Sequence, residues 1–176
     1  MRDLDFSERK FGEVLILGGP YAFVYLVEDV LIDTGTAFWG KKISEYLREK
    51  GLRLRLVLLT HSHYDHVGGL PYILKSQNPQ IFAHPYFEKV LSSEKALKLI
   101  NELNKKEMEL IGFHEDSYLF EPFEFLPLED GQMIEFKEHT ITVYYTPGHT
   151  RDSVTFLIEP EKIAIVGESA GVPNYK

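Results

Sequence analysis

The chain has 176 residues, 44% of them hydrophobic and 13% aromatic, enough for one domain with a sizeable core. Its net charge of -8 disfavours a surface for phosphate backbones, which needs clustered lysine and arginine, so nucleic acid is not expected as a partner. Cysteine is absent, which excludes disulfides, thiolate ligands and a cysteine nucleophile together and leaves nitrogen and oxygen to hold any metal.

Taken in order, residues 1–10 form a charged lead into the first strand. Residues 14–17 and 21–27 read as strands joined by the turn signal Gly18-Gly19-Pro20, which suggests a hairpin. A short strand over 30–32 ends at Asp33-Thr34-Gly35, where Asp33 or Thr34 could cap the helix that follows. That helix, 36–50, places Phe38, Ile43, Tyr46 and Leu47 near helical spacing and stops at Gly51, with Trp39 either core or surface. The apolar run 54–59 suits a buried strand. A short helix over 69–75, a strand over 81–83 and His84-Pro85 come next. Ser92 or Ser93 can cap a helix with apolar positions Ala96, Leu97, Ile100, Leu103, Met108 and Leu110, ending near Ile111. Lys41-Lys42 and Lys105-Lys106 lie among glutamates on these helices and read as solvated faces. From Phe125 the pattern becomes a meander over 125–128, 133–136, 141–145, 154–158 and 163–166. No basic head precedes an apolar segment, and every apolar run is strand-sized. A signal peptide, a membrane span and a membrane partner are therefore not expected, and the chain reads as cytoplasmic.

The chemistry concentrates after residues 54–59, in L-T-H-S-H-Y-D-H-V-G-G. His61, His63, Asp65 and His66 put four potential ligands into six residues at a strand end. If the chain stays extended, alternate side chains share a face, so His61, His63 and Asp65 converge and His66 points elsewhere. Two i, i+2 histidines can hold one metal and offer Asp65 and His66 to a second, since imidazole and carboxylate suit zinc, iron or manganese. Gly68 and Gly69 let the backbone turn tightly. The run 141–145 repeats this logic, delivering His149 at its tip in Thr146-Pro147-Gly148-His149.

The order H-x-H-x-D-H after an apolar strand, with Asp33-Thr34-Gly35 upstream and Thr146-Pro147-Gly148-His149 downstream, resembles the metallo-β-lactamase superfamily over essentially the whole chain. The resemblance implies an α/β fold, a four-layer αββα sandwich of two mixed sheets with outer helices and a dinuclear site at one end. It implies that His61, His63 and His149 bind the first metal and that Asp65, His66 and Glu168 serve the second, with zinc as the metal and iron or manganese as alternatives. Asp33-Thr34-Gly35 would support the site from behind, and Asp65 could also hold or accept a proton. His84 would stay out of the ligand set. Phe113, Tyr118 and Phe120, between the two motifs, could line a substrate entrance or simply pack. His114 and His139 carry no spacing that recruits them.

The family usually has glycine-aspartate where this chain has Gly167-Glu168. The extra methylene moves the carboxylate by roughly 1.5 Å, so either the backbone retreats locally or the second ion is weakened. Family members continue with helices and a strand carrying a further histidine, and no residue after Glu168 supplies one. Residues 1–176 therefore read as one metallo-β-lactamase-like domain with its second half incomplete, and an uncovered sheet edge would invite a homodimer. The implied activity is hydrolysis of an ester-like bond in a small molecule, a thioester, lactone or β-lactam, closest to the hydroxyacylglutathione-hydrolase and lactonase branches. Tyr175 is a candidate for the tyrosine a lactonase places near the bridging acid. The alternatives are an iron-containing oxidoreductase of the sulfur dioxygenase or flavodiiron kind, or a partial-site binding module.

Overall fold

The computed structural model describes residues 6–19 and 22–171. Strands β1 (Ser7–Phe11), β2 (Val14–Gly19), β3 (Ala22–Val27) and β4 (Val30–Ile32) run as an antiparallel meander. Helix α1 (Ala37–Glu49) crosses back to β5 (Leu56–Leu58), parallel to β4. The one-turn α2 (Tyr64–Val67) and α3 (Leu70–Ser76) lead to β6 (Gln80–Ala83). Then α4 (Phe87–Leu91) and α5 (Glu94–Ile111) lead to β7 (Leu126–Pro127). These strands make one mixed sheet in the order β1 to β7. The second sheet, β11-β10-β9-β8, comprises β8 (Met133–Phe136), β9 (His139–Tyr145), β10 (Val154–Glu159) and β11 (Ile163–Ile165) and contains only antiparallel pairs among the described residues.

Alternation along the central strands builds two cores. Leu31, Val57 and Leu59 face the helices, whereas Val30, Ile32, Leu56 and Leu58 face the second sheet and meet Ile141, Val143, Val154 and Phe156. A fully buried valine or leucine contributes roughly 1.5–3 kcal/mol. Burial on both faces thus fixes strands β4 and β5, although each has only three residues. The described helices all contribute to the core on the first sheet's outer side, so the layers seen are helices, sheet, sheet. No described helix covers the outer face of the second sheet.

Four expectations change. Residues 7–10, read as part of a charged lead over 1–10, belong to strand β1, held by register with β2 rather than by any apolar period of its own. Residues 125–128 do not open the second sheet: Leu126–Pro127 pair with β6, and only Leu128 reaches the core between the sheets. Leu110 is 78% exposed, whereas Asn104 of the same helix is fully buried. Gly68 and Gly69 have ordinary negative φ values of -60° and -77°. They are needed instead for close approach: a Cβ on Gly40 would lie 2.0 Å from Gly69 Cα, and one on Gly69 would lie 2.0 Å from the Thr34 carbonyl oxygen. Pro20 of the first turn and Tyr21 lie outside the described residues. Trp39 is core.

Because that contact is backbone against backbone, it cannot relax by a rotamer change. Gly40→Ala should cost about 3 kcal/mol, the upper end for overpacking, in urea unfolding; a loss below about 0.5 kcal/mol would show that α1 and α3 are not in this contact.

Candidate metal centre

Parallel pairing of β4 and β5 brings their C-terminal ends to one rim, so Asp33 and Thr60 emerge side by side. Asp33 sits in the left-handed region at φ 61 with its amide bonded to the Leu58 carbonyl at 2.9 Å. Its Oδ1 accepts from the Thr60 amide at 2.8 Å, and its Oδ2 accepts from the Thr60 hydroxyl at 2.7 Å and faces His66 Nδ1 at 2.8 Å. With its proton committed to Asp33, Thr60 Oγ1 can only accept from His61 Nδ1, 3.1 Å away. For the neutral rings this network assigns both protons: His61 and His66 each carry hydrogen on Nδ1, leaving the Nε2 lone pairs to face the rim. Gly167, at φ 52, lets the chain after β11 pass against Thr60, where a Cβ would come within 3.0 Å of Oγ1.

The chain does not stay extended after His61. Helix α2 starts at Tyr64, and its turn brings His66 back, so its ring lies 4.0 Å from that of His61. His66 therefore converges with the motif rather than pointing elsewhere. From the second sheet, the β9 tip brings His149 to 2.9 Å between its Nε2 and His63 Nδ1. Glu168 Oε2 contacts His149 Nε2 and lies 3.5 Å from His61 Nε2 and 3.7 Å from His63 Nδ1. The donor atoms form two groups, His61-His63-His149-Glu168 and Asp65-His66-Glu168, each with its atoms within 4.8 Å of one another. Either group could hold one metal ion, and Glu168 belongs to both. The longer acid reaches the histidines from its own turn, where Ser169 Oγ meets Thr146 Oγ1 at 2.8 Å.

The donor chemistry fits a cation. His61 is 1% exposed, and its Nε2 is enclosed without a hydrogen-bond partner, an orphaned acceptor aimed at a cluster of acceptors. Burial first, then the charges of His66, His63 and His149, push His61 down to about 2, so it stays neutral. Burial pulls His66 down as well, but the charge and hydrogen bond of Asp33, with Asp65 and Glu168 adding, outweigh it and hold the imidazole up at about 8. Burial pushes the Asp65 carboxyl up, against the pull of His66.

Of the residues singled out in the sequence, His61, His63, Asp65, His66, His149 and Glu168 all enter these groups, and His84 stands outside them. His84 instead accepts from the Tyr86 amide at 3.0 Å and lies against Tyr145. Asp33 caps no helix; α1 begins at Ala37, with Thr36 at its N-cap. Tyr118 and Phe120 are 2% exposed core residues, and Phe113 packs beside Phe38, so all three serve the packing. His114 is exposed, and His139 is buried with Glu161 at 3.0 Å. Tyr175 lies outside the described residues. Thr60 was missed; its only signal is a hydroxyl directly preceding the first histidine.

A profile of the metallo-beta-lactamase superfamily matches residues 17–174. The chain belongs to this superfamily. A lactamase-like protein, nscB of Aspergillus fumigatus, is 30% identical over 142 residues, 80% of this chain and 33% of that protein. A second, vrtG of Penicillium aethiopicum, is 28% identical over 142 residues, 80% of this chain and 36% of that protein. An archaeal metallo-beta-lactamase superfamily protein from Sulfolobus tokodaii superimposes with a TM-score of 0.64 at 26% identity, covering 88% of this chain and 60% of its own. The subclass B3 metallo-beta-lactamase BJP-1 of Bradyrhizobium japonicum gives 0.66 at 20% identity, covering 92% and 60%, a likeness of fold. This superfamily member thus spans about a third of the length of its curated relatives and about three fifths of the solved chains. No described helix is long and apolar enough to cross a membrane.

The His66 shift has a thermodynamic consequence. A histidine whose folded pKa exceeds the unfolded value of about 6.5 stabilises fully below that pH and loses the contribution as pH rises through the folded value. In metal-free protein, NMR should show His66 titrating near 8, and stability should fall by on the order of 1–2 kcal/mol between pH 6.5 and 8.5 from this group. Asp33→Asn should lower the His66 midpoint, since burial is then opposed only by Asp65 and Glu168; an unchanged midpoint would remove Asp33 as its cause.

Proposed function

We propose that the chain acts as a metal-dependent hydrolase of ester-like bonds, thioesters or lactones, with Glu168 serving both ion positions. The observation that carries this reading is a Glu168 oxygen among three inward-facing imidazole nitrogens, one of them buried without a partner, with Glu168 common to both groups. His61, His63 and His149 would hold one ion, and Asp65 and His66 would complete a second position with Glu168. Three imidazoles and a carboxylate suit zinc, and iron or manganese would accept the same atoms. A divalent ion in such a site supplies a lowered water pKa and an electrophile for a carbonyl oxygen.

The chain's own residues do the rest. Asp65, with its carboxyl raised by burial and its Oδ2 3.9 Å from His66 Nε2, is placed to take up and return a proton during hydrolysis. Asp33 and Thr60 hold the two imidazoles in a single tautomer, so no reorganisation is needed when charge develops. The rim is open on the His63 side, where the side chain is 45% exposed and Pro147, Gly148 and His149 face solvent, leaving room for a small carbonyl substrate. The lactamase-like relatives agree with a hydrolase but do not specify the acyl group.

Two measurements test this. Turnover of a phenyl thioester or a γ-lactone should vanish with chelator, return with zinc and fall at least about 100-fold in His63→Ala, the scale expected for loss of a ligand rather than of an outer partner. Equal turnover with and without chelator would end the proposal. Glu168→Asp withdraws the carboxylate by about 1.5 Å, far beyond the roughly 0.2 Å that ligand distances tolerate. Metal per chain should therefore drop; full retention would mean that Glu168 is not a ligand.

A further inference from the structure

Helix α5 lies behind the ligand motif and buries polar groups that its own packing does not require. Asn104 is fully buried: its Oδ1 accepts from the Ala37 amide at 2.7 Å, and its Nδ2 donates to the Ile100 carbonyl at 2.9 Å. One turn on, Glu107 Oε1 accepts from the Thr36 hydroxyl at 3.2 Å, while Oε2 is enclosed with no partner. Thr36 is itself fully buried, and although it is the N-cap of α1, its hydroxyl makes no capping bond. That hydroxyl is turned to α5 instead.

What α5 grips is the junction of the 33–36 turn with α1, at Thr36 and Ala37, and this turn in its own right grips α2. Asp33 holds His66 Nδ1, the Thr34 amide and hydroxyl bond the His66 carbonyl at 2.8 and 3.0 Å, and the Gly69 amide bonds the Gly35 carbonyl at 2.9 Å. A path therefore runs from Glu107 by a hydrogen bond to Thr36, along the backbone of the 33–36 turn, and by hydrogen bonds from that turn to His66 and α2. We propose that Glu107 is a positioning residue, clamping with Asn104 the 33–36 turn and so holding His66 in reach of Asp65 and Glu168. The proposal rests on the metal reading above only for its functional consequence.

A carboxyl with one oxygen enclosed and unpartnered is tolerable here only in its neutral form. Burial pushes Glu107 up to about 7, the Asp65 charge adds, and the Thr36 hydroxyl pulls the other way. The titratable groups facing it are Tyr64 and Asp65 from α2 and Tyr118 from the segment after α5, none of them cationic. An amide would do the same positional work, since it keeps an acceptor oxygen for Thr36.

The test is the imidazole nitrogen spectrum of His66 in metal-free protein, followed by zinc titration. Glu107→Ala and Thr36→Val should each shift the His66 Nδ1 resonance, whereas Glu107→Gln and Thr36→Ser should leave it in place. Zinc affinity at the Asp65-His66-Glu168 position should fall about tenfold or more in the first pair and be kept in the second, the scale seen for outer partners of metal ligands. Should Glu107→Ala fail to fold, Thr36→Val reads the same link from its other end. A His66 resonance unmoved in both Glu107→Ala and Thr36→Val overturns the clamp. A moved resonance with unchanged zinc affinity supports the clamp and counts instead against the metal assignment.

Discussion

The rim of this protein depends on one buried carboxylate. Asp33 is 1% exposed, in a backbone conformation that costs a non-glycine residue on the order of 1 kcal/mol or more. It is held there by the Leu58 carbonyl and the Thr60 amide. In return it satisfies the Thr60 hydroxyl and His66, and through Thr60 it sets the hydrogen of His61. Desolvating a charge is costly unless its acceptor sites are filled, and here three donors fill them. The parallel register of β4 and β5 makes this possible, because it delivers Asp33 and Thr60 to the same end of adjacent strands.

The second constraint is the joining of the sheets at that end. The Val154 amide bonds the Thr60 carbonyl at 2.8 Å, so β10 is anchored to the residue that orients His61. Thr146 bonds both Thr155 and Ser169, tying the His149 loop to its own strand pair and to the Glu168 turn. His149 and Glu168 are thereby fixed relative to His61 and His63 by hydrogen bonds between hydroxyls and backbone, not by packing alone. The apolar contacts beneath, Ile32 and Leu58 against Val143 and Val154, set the spacing of the sheets.

What could be read from the letters was what is local. Three histidines and an aspartate in six residues announce themselves, and His149 became legible because a second strand ended the same way. The convergence of His66 was not legible, because it needs a one-turn helix that has no side-chain cap to signal it. Thr60 looks like any threonine until β4 lies beside it. The sheet membership of Leu126–Pro127 is decided by pairing with β6, more than forty residues earlier, and no periodicity in so short a run encodes that. The effect of Glu168 was open from sequence, since reach depends on where the turn after β11 sits; Gly167 and the Ser169 bonds place it so that the longer acid arrives among the imidazoles.

The central claim is that strand ends from both sheets converge their nitrogens on one cation. X-ray absorption at the zinc edge, on protein loaded with one equivalent, tests it most directly. The account predicts about three imidazole nitrogens near 2.0–2.1 Å with oxygen completing a tetrahedral shell. A shell of oxygens alone, without the outer scattering of imidazole rings, would contradict it.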